Sequence, residues 1–499
     1  MLESLKKLTR HSAVYGIGHI VTRSVGFLLL PLYTNFLDPT ALGIAAIVFL
    51  YLAIMTILYT YGIDSAFLRY YILAEQAEEQ KRLFSTAFLS VFFTSIVFSL
   101  VGYLFAADLA DIILVGNVEK FLNDASDPQA LEAALGEAAF YFQLSSGILF
   151  FDALAILPFL VLRAKEKSKQ FVLLKMLNVV VNLGLNVVFL AGMHLGIAGI
   201  FWANLISSGF TLITILPIIL ANLKLYYGLR ELRSLLAFGL PYIPSTLAVV
   251  LMDLIDRFIL KALKGYEILG IYHANYKLAM IMSLLVAAFR FAWHPFFLST
   301  SKQAEAKAIF AKVLTYFMLV CTGVYLFIAF FLPDLVRIRI GPIYLIGKEY
   351  WAGLDVVPIV MLAYIFYGAY LNFLVGIHLE KKTGYLPFIT GLGLAVNIAG
   401  NYWLIPRFSL YGAAMATVIS YAVMTMALYR VGQRLYRVEY EFRRLFKLGF
   451  WLIFYIFLYY VFDLSFFWRV LLILLFPGLL FISRFFETRE IEYLRSRLL

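Results

Sequence analysis

Seven side chains stand out because their ionisable groups sit inside long apolar runs: His19, Arg23, Asp152, Arg257, His273, Lys277 and Arg290. Arg23 follows His19 by four residues, and Lys277 follows His273 by four. On helices each pair shares one face, one turn apart. Like charges at that spacing repel, which favours neutral imidazoles beside the two cations. Arginine offers a planar fork for a phosphate-like group, and lysine a compact point charge. Arg23, Lys277 and Arg290 are therefore candidates for drawing an anionic group into an interior cavity, with His19 and His273 as hydrogen-bonding neighbours. The competing readings are a structural pair between Arg23 and Asp152, and snorkelling of Arg290 to headgroups.

The remaining charges read differently. Asp253 precedes Arg257 by one turn, so an intrahelical ion pair is expected, with ligand contact as the alternative. Lys175 opens an apolar run beside a basic loop and is expected to snorkel. Asp152 could exchange a coupling proton or sodium ion, since an acid within a membrane can load and release a cation. Gly239, Pro241 and Pro244 must break or kink their segment, because proline removes a backbone donor and clashes one turn back. Such a kink serves either as a hinge or as a static bend.

These residues need membrane-spanning elements to hold them. Of 499 residues, 63% are hydrophobic and 14% charged, against about 45–50% and about 25% in soluble domains. That balance excludes a water-soluble enzyme, a disordered chain and a DNA-binding domain, and marks an all-α integral membrane protein. Runs of roughly 20 apolar residues fall at 13–36, 42–63, 83–106, 138–162, 172–192, 197–220, 236–260, 267–290, 310–332, 352–376, 385–405, 409–429, 446–462 and 466–483, giving about fourteen spans. Residues 1–12 read as an amphipathic interfacial helix and 484–499 as a tail, with no signal peptide apparent. Asp127 and Pro128 suggest a capped, short surface helix in the long acidic segment 107–137.

Charge fixes the expected orientation. With Lys312, Lys447 and Arg469, each near the start of a span, counted with the adjoining loop, 28 of the 41 Lys and Arg lie on the side of the N-terminus, 8 on the other and 5 within spans. That bias places both termini in the cytoplasm and assigns the net charge of +11 to the membrane, with no nucleic-acid partner. The lone Cys321 lies in an apolar run, which excludes a disulfide framework.

The chain also partly repeats. Val181-Asn182-Leu183-Gly184-Leu185-Asn186 recurs as Val396-Asn397-Ile398-Ala399-Gly400-Asn401, and Leu42-Gly43-Ile44 as Leu269-Gly270-Ile271. Gly199, Ala203, Ile206 and Ser207 match Gly412, Ala416, Ile419 and Ser420. Matched spans are six apart and share an orientation, so residues 13–220 and 236–430 are expected to form two parallel six-helix lobes, with 446–483 as two added helices. Parallel repeats of this kind bind substrate between lobes. Convergent small-residue packing is the alternative origin of the matches.

Tyr15-Gly16-Ile17-Gly18, the run from Phe27 to Tyr33, Gly239-Leu240-Pro241 through Pro244, Asp256-Arg257-Phe258, Tyr276-Lys277-Leu278-Ala279 and Ala292-Trp293-His294-Pro295-Phe296 resemble motifs of the polysaccharide-biosynthesis flippases. The resemblance runs from residue 1 to about 430. It implies the multidrug/oligosaccharidyl-lipid/polysaccharide exporter fold in an inner (cytoplasmic) membrane. It also implies movement of an undecaprenyl-diphosphate-linked oligosaccharide from the inner to the outer leaflet by alternating access, without a cofactor. The partners implied are the lipid-linked oligosaccharide, the phospholipid bilayer, a proton or sodium gradient, and glycan polymerase and glycosyltransferases. Two rival expectations are a multidrug antiporter of the same fold, which needs acidic cavity groups for cationic drugs, and a membrane glycan polymerase or ligase, which needs a large outer loop. Gly341–Lys348 looks faintly like a phosphate loop, but five residues separate its glycines instead of four, and Glu349 stands where Ser or Thr is needed. No H-E-x-x-H pattern suggests a metal.

Overall fold

The computed structural model describes residues 26–115, 128–301, 303–380, 382–462, 464–487 and 490. His19, Arg23 and the helix expected over 1–12 lie outside the described residues, as does nearly all of the tail. The chain is almost wholly helical: α1 Leu30–Phe36, α2 Pro39–Thr60, α3 Ile63–Leu73, α4 Ala77–Leu104, α5 Ala106–Ala110, α6 Pro128–Ala164, α7 Ser168–Asn186, α8 Gly196–Asn222, α9 Leu229–Gly239, α10 Tyr242–Thr300, α11 Ala306–Val336, α12 Val356–Leu379, α13 Tyr385–Leu435, α14 Phe442–Val461 and α15 Phe466–Ile482. One hairpin, β1 Arg339–Ile340 with β2 Ile343–Tyr344, precedes a 3-10 turn at Lys348–Gly353.

Among the described residues, ten helices are long and apolar enough to cross a membrane, and the protein is a multi-pass membrane protein. Two of the ten, α10 and α13, have 59 and 51 residues. Straight helices of those lengths would reach about 75–90 Å, far beyond the ~30 Å hydrocarbon core. Each instead folds back at one residue with non-helical geometry, Gly265 (φ 85°, ψ −178°) and Ser409 (φ 50°, ψ −129°). The Tyr272 hydroxyl thereby donates to Asp256 Oδ2 at 2.6 Å, and the Ser420 hydroxyl to the Gly393 carbonyl at 2.6 Å. The first bend falls in the gap between the apolar runs 236–260 and 267–290, and the second at the opening residue of the run 409–429.

Local chemistry sets the other breaks. Asp38 caps α2 by accepting from the Ala41 amide at 2.9 Å, and Pro39 opens the helix. The chain leaves α2 through Tyr61 (φ 34°) and Gly62 (φ 76°). The expected short surface helix is instead the start of α6, which runs unbroken from Pro128, since nothing after the proline interrupts helical geometry. The expected interruption at Gly239–Pro244 is present as a boundary: α9 ends at Gly239, Pro241 precedes α10, and Pro244 sits in its first turn.

The first-half helix α2 packs directly along second-half α10. A Cβ on Gly43 would fall 2.1 Å from the Tyr266 carbonyl oxygen, and one on Gly270 1.8 Å from that of Pro39. The two matched Leu-Gly-Ile segments therefore meet each other backbone to backbone. At the opposite end of the bundle, Gly62 and Gly239 meet equally closely, each Cβ falling 2.1 and 2.6 Å from the other's carbonyl oxygen. The matched asparagines also share a geometry. Asn186 Nδ2 donates to Asn182 O at 2.8 Å and Oδ1 at 3.1 Å, and Asn401 Nδ2 to Asn397 O at 2.8 Å and Oδ1 at 2.9 Å.

Candidate functional site

The fold-back of α10 brings its charges to one level. Arg257 lies eight residues before the bend at Gly265 and Lys277 twelve after it, so at 1.5 Å per residue their depths differ by only about 6 Å. Tyr276, on the second arm, lies beneath Arg257, with the guanidinium carbon 4.3 Å from the ring centroid. Lys277 points the other way, towards the first half: its ammonium is 5.4 Å from the centroid of Tyr33 and 5.7 Å from that of Phe49. These are cation–π contacts with α1 and α2. His273, one turn before Lys277, is only 8% exposed and has no partner on either ring nitrogen among the described residues. It lies within electrostatic range of both Lys277 and Arg257.

Arg257 differs from its expected pairing. Its ion pair is with the neighbouring Asp256, Nη1 to Oδ1 at 2.9 Å, and Nη1 also donates to the Asp253 backbone carbonyl at 2.6 Å. The Asp253 carboxylate instead accepts from the Tyr421 hydroxyl of α13 at 2.6 Å. The physical reason is competition across helices. Tyr421 draws Asp253 towards α13, while Tyr272 and the Arg257 amide (2.8 Å) hold Asp256 where the guanidinium lies. Both partners are nearly fully buried, and the arginine's Nε has no acceptor among the described residues.

Asp152 is exposed on α6, beside Ser208 of α8 and within range of Lys175 of α7. Lys175 does not reach outward as expected: it is half-buried, with its ammonium 4.1 Å from the Phe159 centroid, where a ring face and a carboxylate compensate its charge. Arg290 is exposed and lies thirteen residues beyond Lys277, about 20 Å along the helix, so the two do not converge. The arrangement thus gathers Arg257, His273 and Lys277, and leaves Arg290 and Asp152 elsewhere.

Sequence reasoning missed Asp256 and the tyrosines that hold this cluster. Tyr272 and Tyr276 show the four-residue spacing of one helix face, and the Tyr276 hydroxyl accepts from that of Tyr364 at 3.3 Å. It also missed Lys261, buried on the first arm, whose ammonium donates to the Ile113 carbonyl. Chemically, the site offers one salt-bridged guanidinium, one ammonium held only by ring faces among its described contacts, and a buried imidazole free to donate or accept. That set can bind an anion between the two halves.

Known proteins place this arrangement. The family model for polysaccharide biosynthesis proteins matches residues 8–301. No curated protein matches the chain in sequence. Among solved structures, the lipid II flippase MurJ in an inward closed conformation aligns at a TM-score of 0.70 and 14% identity, over 93% of this chain and 96% of that one. An inward-facing multidrug resistance MATE transporter aligns at 0.60 and 15%, over 83% and 94%. A transporter of the same superfamily from Pyrococcus furiosus aligns at 0.55 and 14%, over 85% and 95%. With more than half its length matched by the family model and its fold shared with these solved structures, the chain belongs to the polysaccharide biosynthesis protein family.

Proposed function

We propose that this protein is a flippase that carries an undecaprenyl-diphosphate-linked oligosaccharide from the inner to the outer leaflet, by alternating access between two lobes, for cell-surface polysaccharide synthesis. The observation that carries the reading is Lys277. Its ammonium faces the first half over Tyr33 and Phe49, beside His273, which has no partner among the described residues. A diphosphate arriving between the halves would replace ring faces with oxygen acceptors, at charge-assisted strength. Arg257 would add its Nε, which has no acceptor among the described residues, and Arg23 and His19 would join in binding the diphosphate.

The reading includes fourteen crossings, counting α10 and α13 as two each, with the cation-rich loops on the cytoplasmic side of the inner membrane. It also includes a hinge at Gly239, Pro241 and Pro244, capture of the head group by Arg290, and hand-over of the glycan between glycosyltransferases and a polymerase. MurJ, a lipid II flippase by its description, and the shared family support this substrate class. A cation antiporter is the second reading, because Asp152 and Asp253 are carboxylates exposed within membrane helices. Either could load a proton or sodium ion.

The test is reconstitution in liposomes with a fluorescent undecaprenyl-diphosphate glycan, scoring label that becomes accessible to an external quencher. Wild type is expected to translocate, and Lys277→Gln and Arg23→Ala to fail while remaining folded. Wild type that translocates no glycan but exchanges cationic dyes for protons would establish the antiporter.

A further inference from the structure

The loop between α11 and α12 makes a set of bonds that the transport reading does not use. Gly341, at φ 63°, turns β1 into β2, as a first hairpin position requires. The hairpin then grips the end of α1 from the other half of the chain. Asn35 uses both ends of its carboxamide on one residue: Nδ2 donates to the Tyr344 carbonyl at 2.7 Å, and Oδ1 accepts from the Tyr344 amide at 3.0 Å. It thus pairs with the hairpin edge as a strand would. The Gly347 amide donates to Thr34 Oγ1 at 3.1 Å, and the Tyr350 hydroxyl to the Leu37 carbonyl at 2.9 Å. Gly347 approaches so closely that a Cβ there would lie 1.8 Å from the Thr34 carbonyl oxygen.

The hairpin is stiffened before it docks. The Tyr344 ring lies under the Arg339 guanidinium at 4.7 Å and the Lys348 ammonium at 5.3 Å, with its edge to Trp351 at 5.6 Å. Trp351 Nε1 closes the loop on the Ile346 carbonyl at 2.9 Å. Two links then run from these contacts towards the cationic site. Tyr33, the residue before Thr34, carries the Lys277 ammonium on its face. Asn275, two residues before Lys277, donates from its side chain to the Tyr350 carbonyl at 2.9 Å.

We infer that residues 339–353 are a latch closing one end of the seam between the halves, the end whose loops are poor in cations, and that it must release once in each transport cycle. The inference rests on the flippase reading for its direction. A rigid loop bonded to the end of α1 through four hydrogen bonds cannot let that end open while the bonds hold. Anion binding that draws Lys277 off Tyr33 would disturb the residues next to Thr34 and Asn35, which ties release to occupancy of the site.

The test closes the latch covalently. In a Cys321→Ser background, cysteines replace the exposed pair Asp38 and Glu349, or independently Thr40 and Lys348, and are joined by a short bismaleimide containing a reducible disulfide. Uncross-linked protein is expected to translocate the fluorescent glycan, cross-linked protein to lose at least nine-tenths of that rate, and reductant to restore it. Cross-linked protein that translocates at the uncross-linked rate, with either pair, overturns the latch. Wild type that never translocates overturns the flippase reading instead, so the two failures remain distinct.

Discussion

Among single residues, Lys277 and Arg257 illustrate two ways of keeping a cation inside a membrane protein, with opposite consequences. Lys277 has ring faces for company, so removing its charge leaves no orphaned carboxylate. Lys277→Gln should leave the thermal midpoint nearly unchanged. If it contacts a diphosphate, the lost hydrogen bond to a charged group is worth about 1.5–3 kcal/mol, or roughly a 10- to 100-fold lower translocation rate. An unchanged rate in folded protein would remove it from the site. Arg257 is the reverse case. Its loss strands the buried Asp256 carboxylate, an imbalance that costs about 3–5 kcal/mol. Arg257→Ala should therefore lower the midpoint in detergent markedly, and Arg257→Gln with Asp256→Asn should recover most of it. Failure of the double variant to recover would mean the stacking on Tyr276 carries the stability. The i, i+4 rule offered Asp253 as the partner because it sees one helix only, whereas Tyr421 and Tyr272, far apart in sequence, decide which carboxylate faces the arginine.

For whole elements, glycine tells packing from flexibility. Gly43 and Gly270 let α2 and the second arm of α10 touch through their backbones, with a would-be Cβ within about 2 Å of a carbonyl on the other helix. Gly43→Ala must push those helices apart, and its thermal midpoint should fall by several degrees. Gly184→Ala, with nothing within 4 Å of its would-be Cβ, should leave the midpoint level or raise it slightly, since alanine favours helix by up to about 1 kcal/mol. Equal midpoints for the two variants would show that the contact at Gly43 relaxes without cost. The sequence made the helices legible through apolar length alone; the bend in α10 fell where the apolar runs paused, and that in α13 at the opening residue of the run 409–429. It could not make α6 legible to its full extent, because Pro128 reads as the start of a short helix and nothing in the composition tells a surface turn from the first turn of a 37-residue helix. The tripeptides and asparagines were legible as matched segments. That the matched glycines would meet each other, however, depends on how the halves face, which periodicity does not encode.

In the molecule as a whole, both ends of the inter-half seam are held: one by the Gly43–Gly270 contact and the hairpin on α1, the other by Gly62 against Gly239. Under the proposed alternating access the two closures must alternate, so weakening one should bias the population rather than unfold the chain. Gly239 is the sharper place to intervene. Valine there would drive a side chain into the Gly62 carbonyl, and Gly62, at φ 76°, has little room to adjust. Around this contact, Arg69 stacks over Phe238 at 4.5 Å and the Tyr70 ring lies 6.1 Å from that of Phe238. A cysteine at Tyr70, with Cys321→Ser, therefore reports whether this end is shut. Gly239→Val should make that cysteine react several-fold faster with a membrane-impermeant maleimide, while a cysteine at Glu349, on the far hairpin, reacts as before. Translocation should slow because the cycle now rests with one end open. If Tyr70→Cys reacts no faster, the Gly62–Gly239 contact is a fixed joint, and the motion that opens this end must be sought between other helices. Faster labelling at both positions would mean that the two closures share one rigid body and open together, which alternating access forbids.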